Sequence, residues 1–532
     1  MVSSLSFVKS VLRRRDAIVG LAIILFFALI ALLAPLIAPF SNAYNPKAYF
    51  VASPDSPPAW ARIFPPYSSL PPNIILPPTP SYQLFKVPSA IQYWQVLDPV
   101  NSPVIKYSQS GPVGVLPPIS GAFVSYDPTS GSELVNLTGD STTPVPLYLY
   151  HEFGYNYQPP DYFYAQLLVK PITVQGASLA IFLFVQNEKG VYPVALFADS
   201  GAQTYLESLP NLGSGYLNYF ATNTQSTLNK GAWNFISAIT TASAYMPLVY
   251  LNKSVNPLLV SQTLFSEKGE YKVGELILVI PHGKYTIALQ QTDFKFQIFG
   301  KIYGLLGTDA NGADVWSEFV TGTRLALGIG FGASAITMAI GVLLGLVAGF
   351  FGGFVDSALI FLFDFLLLLP GLILLIDLDT IFTITHAVPN KALLITLLLG
   401  FLGFAGVSRI VRSQVLSLKT RTYVQAAQVM GASNFYIVRS HILKHTAGTI
   451  IALVTYIVPG LVIADAGLDF LGIGIINTPT WGNILNNLLN QATASNGYLW
   501  WISLSVGLSI IALSVGFYLF GTAIQEEFSR FS

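Results

Sequence analysis

Six stretches of this chain are each apolar over the length a helix needs to cross a hydrocarbon layer, and nothing else in the sequence limits the fold so strongly. A bilayer core of about 30 Å takes about 20 helical residues. The runs near Ala17–Pro39, Leu325–Phe350, Ala358–Ile376, Ala392–Ile410, Ile450–Asp465 and Trp501–Phe520 supply them. Only 10% of the 532 residues are charged, against about a quarter in a soluble domain, so this apolar surface has to be buried in lipid. The first run follows Arg13–Arg15 and exceeds the ~7–15-residue core of a signal peptide. It ends in APLIAPF without a small-residue cleavage pattern and reads as an uncleaved anchor.

Positive residues beside spans set orientation. Lys9 and Arg13–Arg15 place the N-terminus inside, and alternation then places Arg409, Arg412, Lys419, Arg421, Arg439 and Lys444 inside as well. The same alternation puts Ser41–Ile302 outside. The expected organisation is residues 1–40 as inner terminus and first span, 41–302 as an extracytoplasmic insertion, and 303–532 as a core of five further spans. Between Ser53 and Pro118 the insertion is proline-rich, which favours extended, polyproline-like chain. Beyond it, short apolar and aromatic runs such as SLAIFLFVQ, VYPVALFA and GELILVIPHGKYTIALQQ are punctuated by Gly, Asn, Asp and Pro. Runs of that length and composition predict strands of a mostly β, sandwich- or barrel-like domain.

Composition also excludes. There are no cysteines, which removes disulfides, thiolate metal sites and cysteine nucleophiles. The five histidines show no HExxH spacing, and zero net charge without an arginine–aromatic patch leaves no footprint for nucleic acid. No phosphate loop occurs: Gly283-Lys284 lacks the first glycine and the following hydroxyl residue. The chain is therefore read as no enzyme, with no cofactor or metal of its own.

Between the fourth and fifth spans lies TYVQAAQVMGASNFYIVRSHILKH, Thr422–His445, the most polar helix-forming stretch of the C-terminal half. Thr422 and Gln425 have capping-box spacing, Gly431 offers a left-handed helix end, and Ser433 or Asn434 can cap a second short helix through Arg439. Val424, Ala427 and Val438 supply an apolar face with basic flanks. Two readings stand: an amphipathic segment lying on anionic lipid, or a docking element for a partner protein.

Other residues are weighed the same way. Asp364 lies within a span, where a charge costs several kcal/mol unless solvated or paired; a hydrogen bond to another helix and a place on a transport path are both open. Asp465 and Asp469 fall near a span end, within reach of water. Pro370-Gly371 and Pro459-Gly460 break the third and fifth spans, as flexible path elements or simple kinks. Asp309 can cap the helix entering the second span, with Gly307 and Gly312 shaping the turn. Trp60 and Trp94 suit either sugar stacking or a β-domain core.

The loop resembles the EAA loop of ABC importer permeases, reading QAAQVMGASNFYIVRSHILKH here. LLGTDANGADVWSEFVTGTRLALGIG, GFFGGFVDSALIFLFDFLLLLPGLIL and LDFLGIGIINTPTWGNIL are similar to three signatures of one branch, the second permease type of dipeptide/oligopeptide importers. The resemblance covers Arg13–Phe40 and Leu305–Phe528. It implies the six-helix type I importer permease fold and a coupling helix over 422–440 that seats in a cytoplasmic ATPase, with Gln425, Ala426, Ala427, Gly431, Ala432, Tyr436 and Arg439 at the contact. Asp364, Pro370 and Pro459 stay as translocation-path candidates from the residue reading, and the resemblance gives Gly307, Thr308, Asp309, Gly312 and Asp314 as a structural signature. The implied partners are a second, homologous permease, two ATPase subunits holding ATP and Mg, and an extracytoplasmic solute-binding protein delivering peptides; oligosaccharides are the rival cargo. The chain departs from the pattern at Gln425 in place of an acid, at Lys444-His445 in place of Pro-Asn, and at Ala313 and Glu318 in place of arginines. The insertion Ser41–Ile302 is a further departure, and the sequons Asn136-Leu-Thr and Asn252-Lys-Ser suit an outer location. A membrane-anchored surface receptor or hydrolase is the alternative of another class; against it, the insertion has no GxSxG motif and only His151 and His282.

Overall fold

The computed structural model describes residues 10–40, 50–97, 122–127, 129–188, 190–208, 228–239, 260–385, 388, 390–475, 478–494 and 499–531. They divide into two compact units, Met1–Phe50 with Gly304–Ser532, and Val51–Tyr303.

The first unit is helical: α1 (Arg15–Ile37), α2 (Val315–Phe351), α3 (Gly353–Leu368), α4 (Gly371–Ile384), α5 (Lys391–Lys419), α6 (Thr422–Val429), α7 (Asn434–Ile437), α8 (Leu443–Phe470), α9 (Trp481–Ala494) and α10 (Trp500–Phe531). Among the described residues five helices are long and apolar enough to cross a membrane: α1, α2, α5, the continuous run Asn434–Phe470, and α10. The pair α3 and α4, bent by 88°, makes up to six. Pro370 explains that break, because proline lacks an amide donor and pushes the preceding residue out of helical geometry; Leu369 is extended. Pro459 does not break α8, which runs unbroken through it, contrary to the expectation of a broken fifth span. One lost amide bond is tolerated there because Pro459 is buried within the protein, away from lipid.

Small residues let these helices approach closely. Gly20 of α1 meets Gly516 of α10, where a Cβ would lie 2.6 Å from the Gly516 carbonyl oxygen. Gly341, Gly345 and Gly349 recur one turn apart on α2 and seat Val407, Val411 and Val415 of α5. In lipid, where apolar side chains gain little by leaving the solvent, such backbone proximity is what holds helices together. A shared core joins Phe27 and Ile30 of α1, Phe319 and Val320 of α2, Val458 and Val462 of α8, and Trp501 and Val506 of α10.

The second unit is sheet-rich. Its strands are β1 (Ile74–Leu76), β2 (Gln95–Leu97), β3 (Ala122–Asp127), β4 (Ser132–Ser141), β5 (Val145–Tyr155), β6 (Tyr162–Asn187), β7 (Gly190–Ala198), β8 (Asn234–Ile239) and β9 (Gly269–Phe299). All pair antiparallel in one sheet built around β6 and β9, which run side by side over most of their length. β9 takes β5 along its first half and β4 along its second. Expected as runs of short strands, the apolar segments are instead joined into strands of 26 and 31 residues. Register shifts at Gln166/Leu168, Pro171/Thr173 and Gln175/Ala177 provide the local bends that long strands need. The proline-rich stretch, where described, is not extended throughout. Ala59–Ile63, Pro65–Tyr67 and Pro88–Tyr93 form 3₁₀ turns and Pro80–Gln83 a short helix, since proline's fixed φ suits a first helical turn. Trp94 is buried in the core of this unit, whereas Trp60 is exposed. Residues 98–118 and the sequon at Asn252 lie outside the described residues.

Candidate functional site

α6 opens at Arg421, whose φ of −71° and ψ of 142° are those of an N-cap, with no side-chain cap bond. Thr422 is already the first helical residue, so the expected Thr422–Gln425 capping box does not form. Gly431, at φ +83°, closes the helix: the Met430 amide donates to the Ala426 carbonyl and the Ala432 amide to that of Ala427, both at 3.0 Å. Ser433 caps the next helix, its Oγ accepting the Tyr436 amide at 3.3 Å. That helix does not end near Arg439. It passes through a π-helical turn, Val438–Ile442, into α8, so the segment 422–440 is one short helix plus the opening turns of a long span.

Burial inverts the expected apolar face. Val424, Ala427, Ile437 and Ile442 pack inward against Val407, Val411 and Val415 of α5 and Phe350 of α2. With those anchors inside, the turn around Gly431 presents Val429, Met430 and Phe435 at 88%, 81% and 74% exposure, with Tyr423 and Tyr436 also exposed. Gln425, Ala426, Gly431 and Arg439 are exposed as well, Ala432 is half-buried and Ala427 buried. Arg421, Arg439 and Lys444 of the same segment are exposed too, and no acidic residue occurs between 413 and 464. Reading the loop by residue type had missed Val429, Met430 and Phe435; the available signal was large apolar residues on both sides of a helix-ending glycine.

Three acidic residues of the bent span are paired with basic residues of α5. Arg412 makes a two-pronged bond to Asp356 at 2.5 and 2.6 Å, and Arg409 lies 3.2 Å from Asp364. Both arginines belong to α5 and both acids to α3, so these arginines brace the bent span and are not free flanking charges. Lys391 Nζ donates to buried Asp379 at 2.5 Å. Asp465 and Asp469, expected near water, are 2% and 0% exposed. Asp469 Oδ1 accepts the Ile475 amide at 2.7 Å, closing the turn after α8.

The glycine-rich turn before α2 is tight. Gly307 and Gly312 have φ of +76° and +74°, and Thr308 bridges to Asp314. Asp309 does not cap α2; it accepts the amides of Asn311 and Ala313 at 2.9 and 2.7 Å, while Asp314 is the cap, accepting the Ser317 amide at 3.1 Å. Burial raises the pKa of Asp309 and of Asp314, and the donors just named oppose it. Phe319, just inside α2, stacks on Trp481 at 5.9 Å, whose Nε1 donates to the Phe319 carbonyl; two of the four signature segments thus meet. Among the described residues no group of three or more His, Asp or Glu could hold a metal.

These spans, their internal ion pairs and their glycine crossings define a multi-pass membrane protein with one bent, exposed loop. Residues 341–530 match the family described as binding-protein-dependent transport system inner membrane component, and residues 6–58 the N-terminal TM domain of oligopeptide transport permease C. The dipeptide transport system permease protein DppC of Bacillus subtilis is 35% identical over 222 residues, 41% of this chain and 66% of that protein. The oligopeptide transport system permease protein OppC of Lactococcus lactis subsp. cremoris is 31% identical over 225 residues, 42% of this chain and 74% of that protein. The glutathione transport system permease protein GsiD of Pectobacterium atrosepticum is 31% identical over 211 residues, covering 40% and 68%. A solved structure of the MetNI methionine ABC transporter, inward facing, aligns over 41% of this chain and 97% of that chain at a TM-score of 0.33 and 19% identity, too weak a likeness to carry an argument. The chain belongs to the dipeptide and oligopeptide ABC transporter permeases. Residues 59–340 fall outside both family matches.

Proposed function

We propose that this chain is the permease subunit of an ATP-driven importer that moves peptides inward by alternating access. It pairs with a second permease, and two ATPase subunits engage the loops between spans. The observation that carries the reading is the exposed turn of Val429, Met430 and Phe435, held out by the buried anchors Val424, Ala427, Ile437 and Ile442. A large apolar patch rimmed by polar groups marks an interaction surface, and rigid seating in the core of α2 and α5 lets force applied there reach the spans. The helix macrodipole contributes little at α6, since Gln425 stands where an acid would be favourable. Apolar contact and the exposed basic residues of the segment therefore do the docking.

Peptides are the cargo that the named relatives support, and a solute-binding protein on the outer face would deliver them. Buried Trp94 speaks for core packing over sugar stacking at that position. The chain has no native cysteine, so Met430→Cys places a single reactive thiol in the patch. In membranes containing the whole transporter, it should crosslink to the ATPase and resist an impermeant thiol reagent added outside. Labelling from outside, or no ATPase adduct under conditions where ATP hydrolysis is intact, would overturn the reading.

A further inference from the structure

Within the β unit, Glu133 of β4 stands directly opposite Gln291 of β9 in the antiparallel register, which places their side chains in reach of one another. Gln291 Nε2 donates to Glu275 Oε2 at 2.9 Å. The three are 2%, 0% and 3% exposed, walled by Phe85, Trp94, Leu149, Leu167 and Phe294 in a space too tight for a water molecule. An amide side chain has one donor end and one acceptor end. Between two carboxylates it satisfies one and turns its oxygen on the other, and exchanging its oxygen and nitrogen only changes which carboxylate is left. Glu133 Oε1 and Gln291 Oε1 are both acceptors without a partner among the described residues, and the Trp94 indole N–H in the wall is unpartnered as well. A proton on Glu133 would turn two orphaned acceptors into one O–H···O bond.

Among the described residues no basic group acts on Glu133 or Glu275; the one charge that bears on Glu275 is that of Glu133. Titratable groups on neighbouring elements include Tyr126 on β3, opposite Glu133, Tyr150 and His151 on β5, Lys170 on β6, Lys272, Asp293 and Lys295 on β9, and Lys86 and Tyr93 before β2. Lys272 pairs with Glu152 at 3.0 Å and lies over the Tyr150 ring; Lys295 interacts with Asp293. His151 stacks on Tyr93 and bonds its carbonyl.

We propose that Glu133, Gln291 and Glu275 form a proton-binding site that keeps one carboxyl of the pair neutral through the neutral pH range. Burial pushes Glu133 up to about 8, and burial followed by the charge of Glu133 pushes Glu275 up as well. A carboxyl whose folded pKa is raised holds its proton more tightly when folded. Its contribution to stability is complete below the ordinary value of 4.5 and is lost as pH rises from there to about 8. The β unit is thus built to stand acid and to loosen progressively as pH rises toward about 8.

The full chain in lipid nanodiscs tests this by infrared difference spectroscopy of protonated carboxyl groups, wild type against Glu133→Gln and Glu275→Gln, with limited proteolysis of the β unit across pH 5–10. Loss of a protonated-carboxyl band at pH 7 in either variant, and a wild-type cleavage rate that rises several-fold between pH 5 and about 8 and levels off above it but stays flat in Glu133→Gln, are expected. Should Glu133→Gln misfold, Glu275→Gln and the wild-type pH series still decide. Spectra unchanged by both substitutions, or a wild-type band that is absent at pH 7, would overturn the proposal.

Discussion

Gly345→Ala should loosen the crossing of α2 and α5 although it adds only a methyl group. A Cβ at Gly345 would lie 2.7 Å from the Ser408 carbonyl oxygen and 2.8 Å from Val411 Cβ, where ordinary contact begins at 3.4 Å. The first partner is backbone and cannot swing aside, so the helices must part by several tenths of an ångström. Overpacking of this kind costs about 1–3 kcal/mol. Against it stands the gain of about 0.8–1 kcal/mol from replacing glycine within a helix, leaving a net loss of about 0–2 kcal/mol for alanine and a larger one for leucine. Gly406, on α5, is the control: its Cβ would meet nothing within 4 Å, so Gly406→Ala should match or exceed wild-type stability. Thermal inactivation in nanodiscs, followed by loss of the monodisperse peak, gives the comparison. If Gly345→Leu survives heating as well as Gly406→Ala, the close approach of these helices is wrong.

Two further outcomes follow from the same unit. Arg412→Ala leaves Asp356 without its two-pronged partner, at side-chain exposures of 21% and 16%; partial solvation reduces the 3–5 kcal/mol of a buried pair to about 1–3 kcal/mol, and the double variant Asp356→Asn, Arg412→Gln should recover part of it in the same heating assay. Phe435→Asp should leave the melting profile within about 0.5 kcal/mol of wild type, as for exposed positions generally, while abolishing ATPase co-purification. Val424→Asp, which puts a charge at a 0% exposed site, should instead reduce the folded yield itself; equal behaviour of the two would remove the distinction between anchor and docking residue.

Much of the helical unit was legible in order. Hydrocarbon thickness demands long apolar runs, and those runs stand out in a chain with so few charges. Gly431, Gly307 and Gly312 were also readable as turn formers, because only glycine takes positive φ cheaply. Caps were harder: Thr422 against Arg421, and Asp309 against Asp314, differ by one or a few residues, and the choice depends on where the preceding chain arrives. Asp465 and Asp469 were misplaced for a similar reason. Distance along a span suggests depth, but Trp481 and the turn at Ile475 fold back over α8 and exclude water.

Membership of the spans, the position of the bent loop and the strand-forming character of the insertion are local properties, set by apolar length, glycine, proline and β-branched content within a window of residues. Which face of a helix is covered is not local. Val424 and Ala427 look like a docking surface until α5 supplies Val407, Val411 and Val415 to cover them, and Asp356 and Asp364 look unsatisfied until two turns of α5 bring Arg412 and Arg409 across. Pairing energies between groups tens of residues apart depend on separation and solvent exclusion, and both quantities exist only once the helices have packed.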